Sequence, residues 1–134
     1  MKIGIFDSGL GGLFIAKSIV EALPNYHYVY LGDTKNLPYG NKNQTEIYGL
    51  LARGVEYLFR QNCKLIIVAC NTASASALRK IQRSYLPKYY FDRRVLGVIR
   101  PTAEIIKNKK YRSIGILATP ATVRQSLLLK KFIS

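Results

Sequence analysis

The feature that most constrains the fold is an alternation of short apolar runs with stretches of helical periodicity. Residues 2–6, 26–31 and 65–69 have the length of strands, and the run LIIVA at 65–69 is typical of a strand covered on both faces. Apolar residues recur at helical spacing within 15–23 and 47–58. This alternation predicts βα units and therefore an α/β fold with a parallel sheet.

The later part of the chain continues the pattern. We expect strands at 95–99 and 114–118, a helix over 74–84, and a helix from Pro101 or Thr102. A last helix is expected to open with Thr119 as its N-cap and Pro120 in its first turn. The aromatic segment 85–91 is interpreted as a hinge. The domain prediction is therefore a first α/β lobe at 1–92 and the opening of a second α/β lobe, truncated, at 93–134.

Composition excludes several classes of protein. The 134 residues contain two cysteines, Cys63 and Cys70, and one histidine, so neither a disulfide framework nor a zinc site is expected. No apolar run is long enough for a signal peptide or a membrane span, and we expect a cytoplasmic protein with free thiols.

The charge is unevenly distributed. The net charge is +14, and residues 76–134 carry fourteen basic and two acidic side chains. Such a surface either attracts a polyanion or is a solvated face that keeps the chain soluble. Because no nucleic-acid-binding module is recognisable, we favour the solvated face and do not expect a nucleic-acid partner.

Small, polar or reactive residues follow four of the predicted strands. Because ligands of open parallel sheets bind at the carboxyl ends of the strands, these segments are expected to converge on one pocket. They are 7–12, 32–42, 70–72 and 119–122.

Each segment also has a purely structural interpretation. The glycines of 7–12 could form only a tight turn, and 38–40 could be a turn without function. Cys70 is either a small buried hydrophobe or a nucleophile whose thiolate is favoured at a helix N-terminus. Cys63 precedes the same strand and is expected to be structural.

Several motifs resemble one known family. DSGLGG at 7–12, YLGDT at 30–34, LPYGNK at 37–42, VACNTAS at 68–74 and IGILAT at 114–119 are similar, in order and spacing, to the N-terminal half of bacterial glutamate racemase. This family belongs to the aspartate/glutamate racemase superfamily. The resemblance implies two α/β lobes with the substrate between them. It also implies an isomerase without cofactor or metal that interconverts L- and D-glutamate and supplies D-glutamate for peptidoglycan.

The resemblance also implies roles for individual residues. Cys70 would be one of two catalytic thiols, and Asp7 would orient it or assist proton transfer. Glutamate would be contacted by a larger set: Asp7, Ser8, Pro38, Tyr39, Gly40, Asn71, Thr72, Thr119 and Thr122.

One departure from the family affects the expected activity. The family's second cysteine lies in a Cys-Thr-His segment, and the 134 residues contain none. We therefore expect this chain alone to be inactive or impaired as a racemase. The alternative is a non-catalytic truncated remnant that binds a small carboxylate or a protein partner. An exposed apolar face on an incomplete lobe would favour a homo-oligomer.

Overall fold

A computed structural model describes residues 1–125, which contain a four-stranded parallel sheet. The strands are β1 (Lys2–Asp7), β2 (His27–Gly32), β3 (Leu65–Val68) and β4 (Arg94–Gly97), in the spatial order β2-β1-β3-β4. All three strand pairs are parallel, with Ile5 opposite both Tyr30 and Ile67. The predicted α/β fold with a parallel sheet is confirmed.

Helices make the crossovers that parallel strands require. They are α1 (Leu13–Ala22), α2 (Gln44–Arg60), α3 (Asn71–Ser76), α4 (Leu78–Lys80), α5 (Leu86–Tyr89), α6 (Ile99–Asn108) and α7 (Pro120–Arg124). Short 3₁₀ turns span Thr34–Asn36 and Tyr39–Asn41. No helix within 1–125 is long and apolar enough to cross a lipid bilayer.

The main core lies between the sheet and α2. The apolar face of α2 is buried against β1 and β3, and a second, smaller cluster lies under α1. Helix α2 begins with a capping box, in which Asn43 accepts from the Glu46 N–H and Glu46 accepts from the Asn43 N–H. This cap satisfies two of the free N–H groups of the first turn.

The helix expected at 74–84 differs in extent and form. It begins earlier, at Asn71, and residues 81–85 form a π-helical turn in which the Leu86 N–H donates to the carbonyl five residues back, at Ile81. Pro87 follows and has no N–H to continue α-helical bonding. The segment interpreted as a hinge is helical as far as Tyr89, and Tyr85 and Tyr90 pack against the main core.

Two predicted strands are corrected. The strand expected at 95–99 spans Arg94–Gly97, and Ile99 already begins α6. The strand expected at 114–118 is wrong, because 112–118 are exposed and pair with no strand of the described chain.

The sheet continues across the predicted lobe boundary. Strand β4 lies beyond residue 92 and is paired with β3. The division into lobes at this position stays a prediction. The last helix begins as expected with Thr119 and Pro120, and its expected continuation past Gln125 lies outside the described residues.

Candidate active site

The site lies at the carboxyl ends of β1 and β3, where four chain segments meet. Ser8 contacts Cys70, Thr72 contacts Thr119, and Gly40 lies against Thr119. Most of the residues assigned to the site from the sequence are thus close neighbours. The expected convergence follows from the parallel sheet, whose strands all end at the same edge.

Cys70 stands between β3 and α3. It is the N-cap of α3 and is 6% exposed. Its thiol donates to Ser8 Oγ at 3.3 Å, and its sulfur accepts from the Ala73 N–H at 3.4 Å. After loss of the thiol proton, the Ser8 hydroxyl could rotate and donate to the sulfur. A thiolate at Cys70 would then have two hydrogen-bond donors.

Asp7 is the last residue of β1, and its side chain is buried. Its Oδ2 accepts from the Gly12 N–H at 2.9 Å and from the Tyr30 hydroxyl at 3.2 Å. A Cβ added at Gly12 would lie 2.9 Å from the Ala69 Cβ and 3.0 Å from the Asp7 Cβ. Glycine is therefore needed here for the loop to approach the carboxylate.

Tyr30 was not among the site residues expected from the sequence. Burial raises its pKa to about 12, with further contributions from the Asp7 charge and hydrogen bond and from Cys70. The phenol therefore remains protonated, and able to donate, at neutral pH.

The loop carrying Tyr39 is held by a partly buried hydrogen-bond network. The Tyr39 hydroxyl donates to Asp33 Oδ2 at 2.6 Å, and the Asn36 amide donates to both Asp33 carboxylate oxygens. Burial is the largest cause that raises the pKa of the Tyr39 hydroxyl, and the hydrogen bond to Asp33 and the Asp33 charge raise it further. The Leu37–Pro38 peptide bond is cis. Asp33 and Asn36 were missed as site residues, although Asp33 directly follows β2 and so stands at the right edge of the sheet.

Three threonines join α7 to the site. The Thr119 hydroxyl lies 2.9 Å from that of Thr72 and 3.0 Å from that of Thr122. Thr72 and Thr122 are buried. A Cβ on Gly40 would come within 2.8 Å of the Thr119 side chain. Helix α7, assigned from the sequence to a second lobe, therefore packs directly on the site.

Two residues expected at the site take part in none of the side-chain hydrogen bonds described above. Asn71 and Pro38 are exposed, and the Asn71 amide makes no hydrogen bond within 1–125. Its amide is consequently available to a ligand.

Cys63 lies at the opposite end of β3 and is completely buried. Burial raises the pKa of its thiol, and its sulfur would be 3.3 Å from a Cβ at Gly4. Cys63 therefore cannot reach a ligand held beside Cys70.

Other parts of the described chain offer little chemistry. A cleft of about 550 Å³ lies between α4 and α6 and is lined by Arg79, Arg83 and Arg100, and Cys70 is not among its lining residues. Within 1–125 no three His, Cys, Asp or Glu side chains are grouped so that they could hold a metal ion. The Cys70 edge is therefore the best candidate for catalysis.

Known proteins resemble the chain over nearly all of its length. Glutamate racemase from Paracoccus denitrificans is 42% identical over 134 aligned positions, which cover 92% of this chain and 48% of that protein. The enzyme from Jannaschia sp. is 40% identical with the same coverage. No family model matches the sequence.

Solved structures agree with the curated relatives. Glutamate racemase from Aquifex pyrophilus superposes with a TM-score of 0.89 at 37% identity, covering 99% of this chain and 51% of that one. The Francisella tularensis enzyme, in complex with D-glutamate, superposes with a TM-score of 0.84 at 36% identity, and the match covers 98% of this chain and 47% of that one. The chain spans about half the length of the relatives it matches. It is homologous to the N-terminal portion of the glutamate racemases.

Proposed function

We propose that the chain contributes one half of a glutamate racemase site, in which Cys70 exchanges a proton with the α-carbon of glutamate. The observation that carries the proposal is the placement of the Cys70 thiol beside Ser8, at the sheet edge where Asp7, Gly40 and the threonines also lie. The homology to glutamate racemases supports the choice of substrate.

The chemistry follows from the groups present. Removal of an α-proton leaves a carbanion, so the site must stabilise negative charge on the substrate carboxylate while a base takes the proton. Neutral donors such as the Asn71 amide and the threonine hydroxyls suit the carboxylate. The Asp7 carboxylate suits the ammonium group. Cys70, as a thiolate with two donors, is the base, and no step needs a cofactor.

One thiol can serve only one face of the α-carbon. Racemisation requires a proton donor on the opposite face, and Cys63, the other cysteine of the 134 residues, lies at the far end of β3. The 134-residue chain should therefore remove a proton and return it to the same face. The expected result is exchange of the α-proton of one enantiomer with solvent, with little or no racemisation. In a cell, the racemase reaction would supply D-glutamate for peptidoglycan in the cytoplasm.

The proposal is tested by incubating the purified chain with L- and D-glutamate separately in D₂O. Proton NMR measures loss of the α-proton signal, and circular dichroism follows the optical activity of the substrate. We expect one enantiomer to lose its signal without loss of optical activity. Cys70→Ala should abolish the exchange, whereas the matched variant Cys63→Ala should retain it.

The outcomes separate the proposal from its alternative. Complete loss of optical activity that depends on Cys70 would contradict the restriction to one face. Binding of glutamate without exchange of either enantiomer would favour the alternative, a protein that binds a small carboxylate and does not turn it over. If the chain neither binds glutamate nor exchanges its α-proton, both the proposal and the alternative are refuted.

A further inference from the structure

The buried Asp7 carboxylate has no cationic partner. The four ion pairs of residues 1–125 are formed by other side chains, all at exposed or partly exposed positions. A buried carboxylate without a cation depends on hydrogen-bond donors for its stability. Its two donors, the Gly12 N–H and the Tyr30 hydroxyl, both bind Oδ2.

The other carboxylate oxygen is left open. Asp7 Oδ1 accepts no hydrogen bond within 1–125. Ser76 Oγ is the one fully buried side-chain oxygen or nitrogen of these residues that lacks a partner. Asp7 Oδ1 is therefore not fully buried, and solvent can reach it.

Tyr30 also binds the loop that follows Asp7. Its hydroxyl lies 3.0 Å from the Gly9 carbonyl oxygen and 3.2 Å from Asp7 Oδ2, so its one proton is shared between these two acceptors and bridges the two ends of the turn from Asp7 to Gly9. The same end of β2 lies tightly against this turn, because a Cβ on Gly32 would come within 2.5 Å of the Gly9 oxygen. Strand β2 thus fixes both the backbone of the turn and the Asp7 side chain.

We propose that Tyr30 is a positioning residue: its hydroxyl holds Asp7 Oδ2, so that Oδ1 is the oxygen that binds the ammonium group of the ligand. The proposal rests on the proposed function, since it assumes an amino-acid ligand beside Cys70. Tyr30 itself touches no reacting atom. Its raised pKa, about 12, keeps the hydroxyl a donor throughout the neutral range.

Tyr28 provides a matched control. It lies two residues before Tyr30 on the same strand face and packs against the same small core cluster. Its hydroxyl donates to the Leu23 carbonyl at 2.6 Å, on the far side from Asp7. Tyr28→Phe therefore removes a hydroxyl of the same type without touching the carboxylate.

The first experiment tests the contact without any ligand. The tyrosine Cζ resonances are titrated by ¹³C NMR in the unmodified chain and in Asp7→Asn. Because the Asp7 charge and hydrogen bond raise the Tyr30 pKa, the substitution should lower the Tyr30 titration midpoint. An unchanged Tyr30 midpoint would overturn the inference.

The second experiment measures the consequence. Isothermal titration calorimetry with D-glutamate should show affinity about tenfold weaker for Tyr30→Phe and within about twofold of the unmodified chain for Tyr28→Phe, since misplacing one charge-assisted contact has an effect of this order. Equal affinities for all three proteins refute the inference alone. If the unmodified chain binds neither D- nor L-glutamate, the proposed function fails and the inference fails with it.

Discussion

Two glycines of α2 should respond in opposite ways to the same substitution. Gly49 and Gly54 both lie inside the helix, where alanine is intrinsically preferred by about 1 kcal/mol. A Cβ on Gly49 would meet no atom within 4 Å. A Cβ on Gly54 would lie 2.3 Å from Cε2 and 2.6 Å from Cδ2 of the Phe6 ring. The two positions therefore differ in the space available to a methyl group.

The magnitude follows from what Phe6 can do. Its ring is fully buried in the main core, with its centroid 6.4 Å from that of Tyr39. To reach ordinary van der Waals contact the ring or the helix must move by about 1 Å, and overpacking of this kind costs about 1–3 kcal/mol. After subtraction of the helix preference of about 1 kcal/mol, Gly54→Ala should destabilise the fold by up to about 2 kcal/mol. Gly49→Ala should stabilise it by about 0.5–1 kcal/mol.

Urea denaturation followed by far-ultraviolet circular dichroism measures both effects. The free energies of unfolding should differ between the two variants by about 2 kcal/mol, with the unmodified chain between them. A Gly54→Ala chain as stable as the Gly49→Ala chain would refute the argument, because it would mean that the helix does not press on Phe6.

Three further predictions concern stability. Asn43→Ala removes the capping box and should lower the free energy of unfolding by about 1 kcal/mol in the same urea assay, whereas Glu46→Gln, which keeps an acceptor, should cost less. Arg93→Ala removes hydrogen bonds to the Phe59 and Cys63 carbonyls, at 2.7 and 2.8 Å, and should lower the free energy of unfolding by about 2 kcal/mol. The control Arg94→Ala, at the exposed neighbouring position, should lower it by less than about 0.5 kcal/mol. Burial above all raises the pKa of both Tyr30 and Tyr85 to about 12 from the ordinary value of 10.0, so the unfolded chain releases these protons at lower pH than the folded chain does. These two groups should therefore leave the stability unchanged below pH 10 and lower it between pH 10 and 12. Thermal denaturation across that range would show or contradict this decrease.

The sheet and its long helix could be predicted because their signals are local. The apolar run at 65–69 indicates a buried strand by itself, and Asn43 with Glu46 marks a helix start by spacing alone. The run at 114–118 has the same composition as a strand but pairs with none in the described chain. A strand exists only through its neighbour, and composition does not reveal whether a neighbour is present.

The positions of the site residues could be predicted, but not their contacts. Cys70, Ser8 and Thr119 were expected at one edge because parallel strands end together. Which hydroxyl meets which carboxylate depends on register and loop conformation. Tyr30 reaches Asp7 because it stands opposite Ile5 in the β1–β2 register, and Asp33 receives Tyr39 because the intervening loop folds back. Neither contact follows from a repeating pattern in the sequence.

The charge of the site differs from that of the chain as a whole. Although the net charge is +14, the hydrogen bonds to Asp7 and Asp33 come from neutral hydroxyl, amide and backbone donors. Neutral donors stabilise a carboxylate without cancelling its charge, so the site remains attractive to an ammonium group. A polyanion would instead meet the exposed arginines and lysines of the later residues. The excess of basic residues is therefore compatible with an amino-acid ligand. Lysine and arginine side chains would repel the ammonium group of such a ligand, but within 1–125 none of them is hydrogen-bonded to the Asp7 or Asp33 carboxylate.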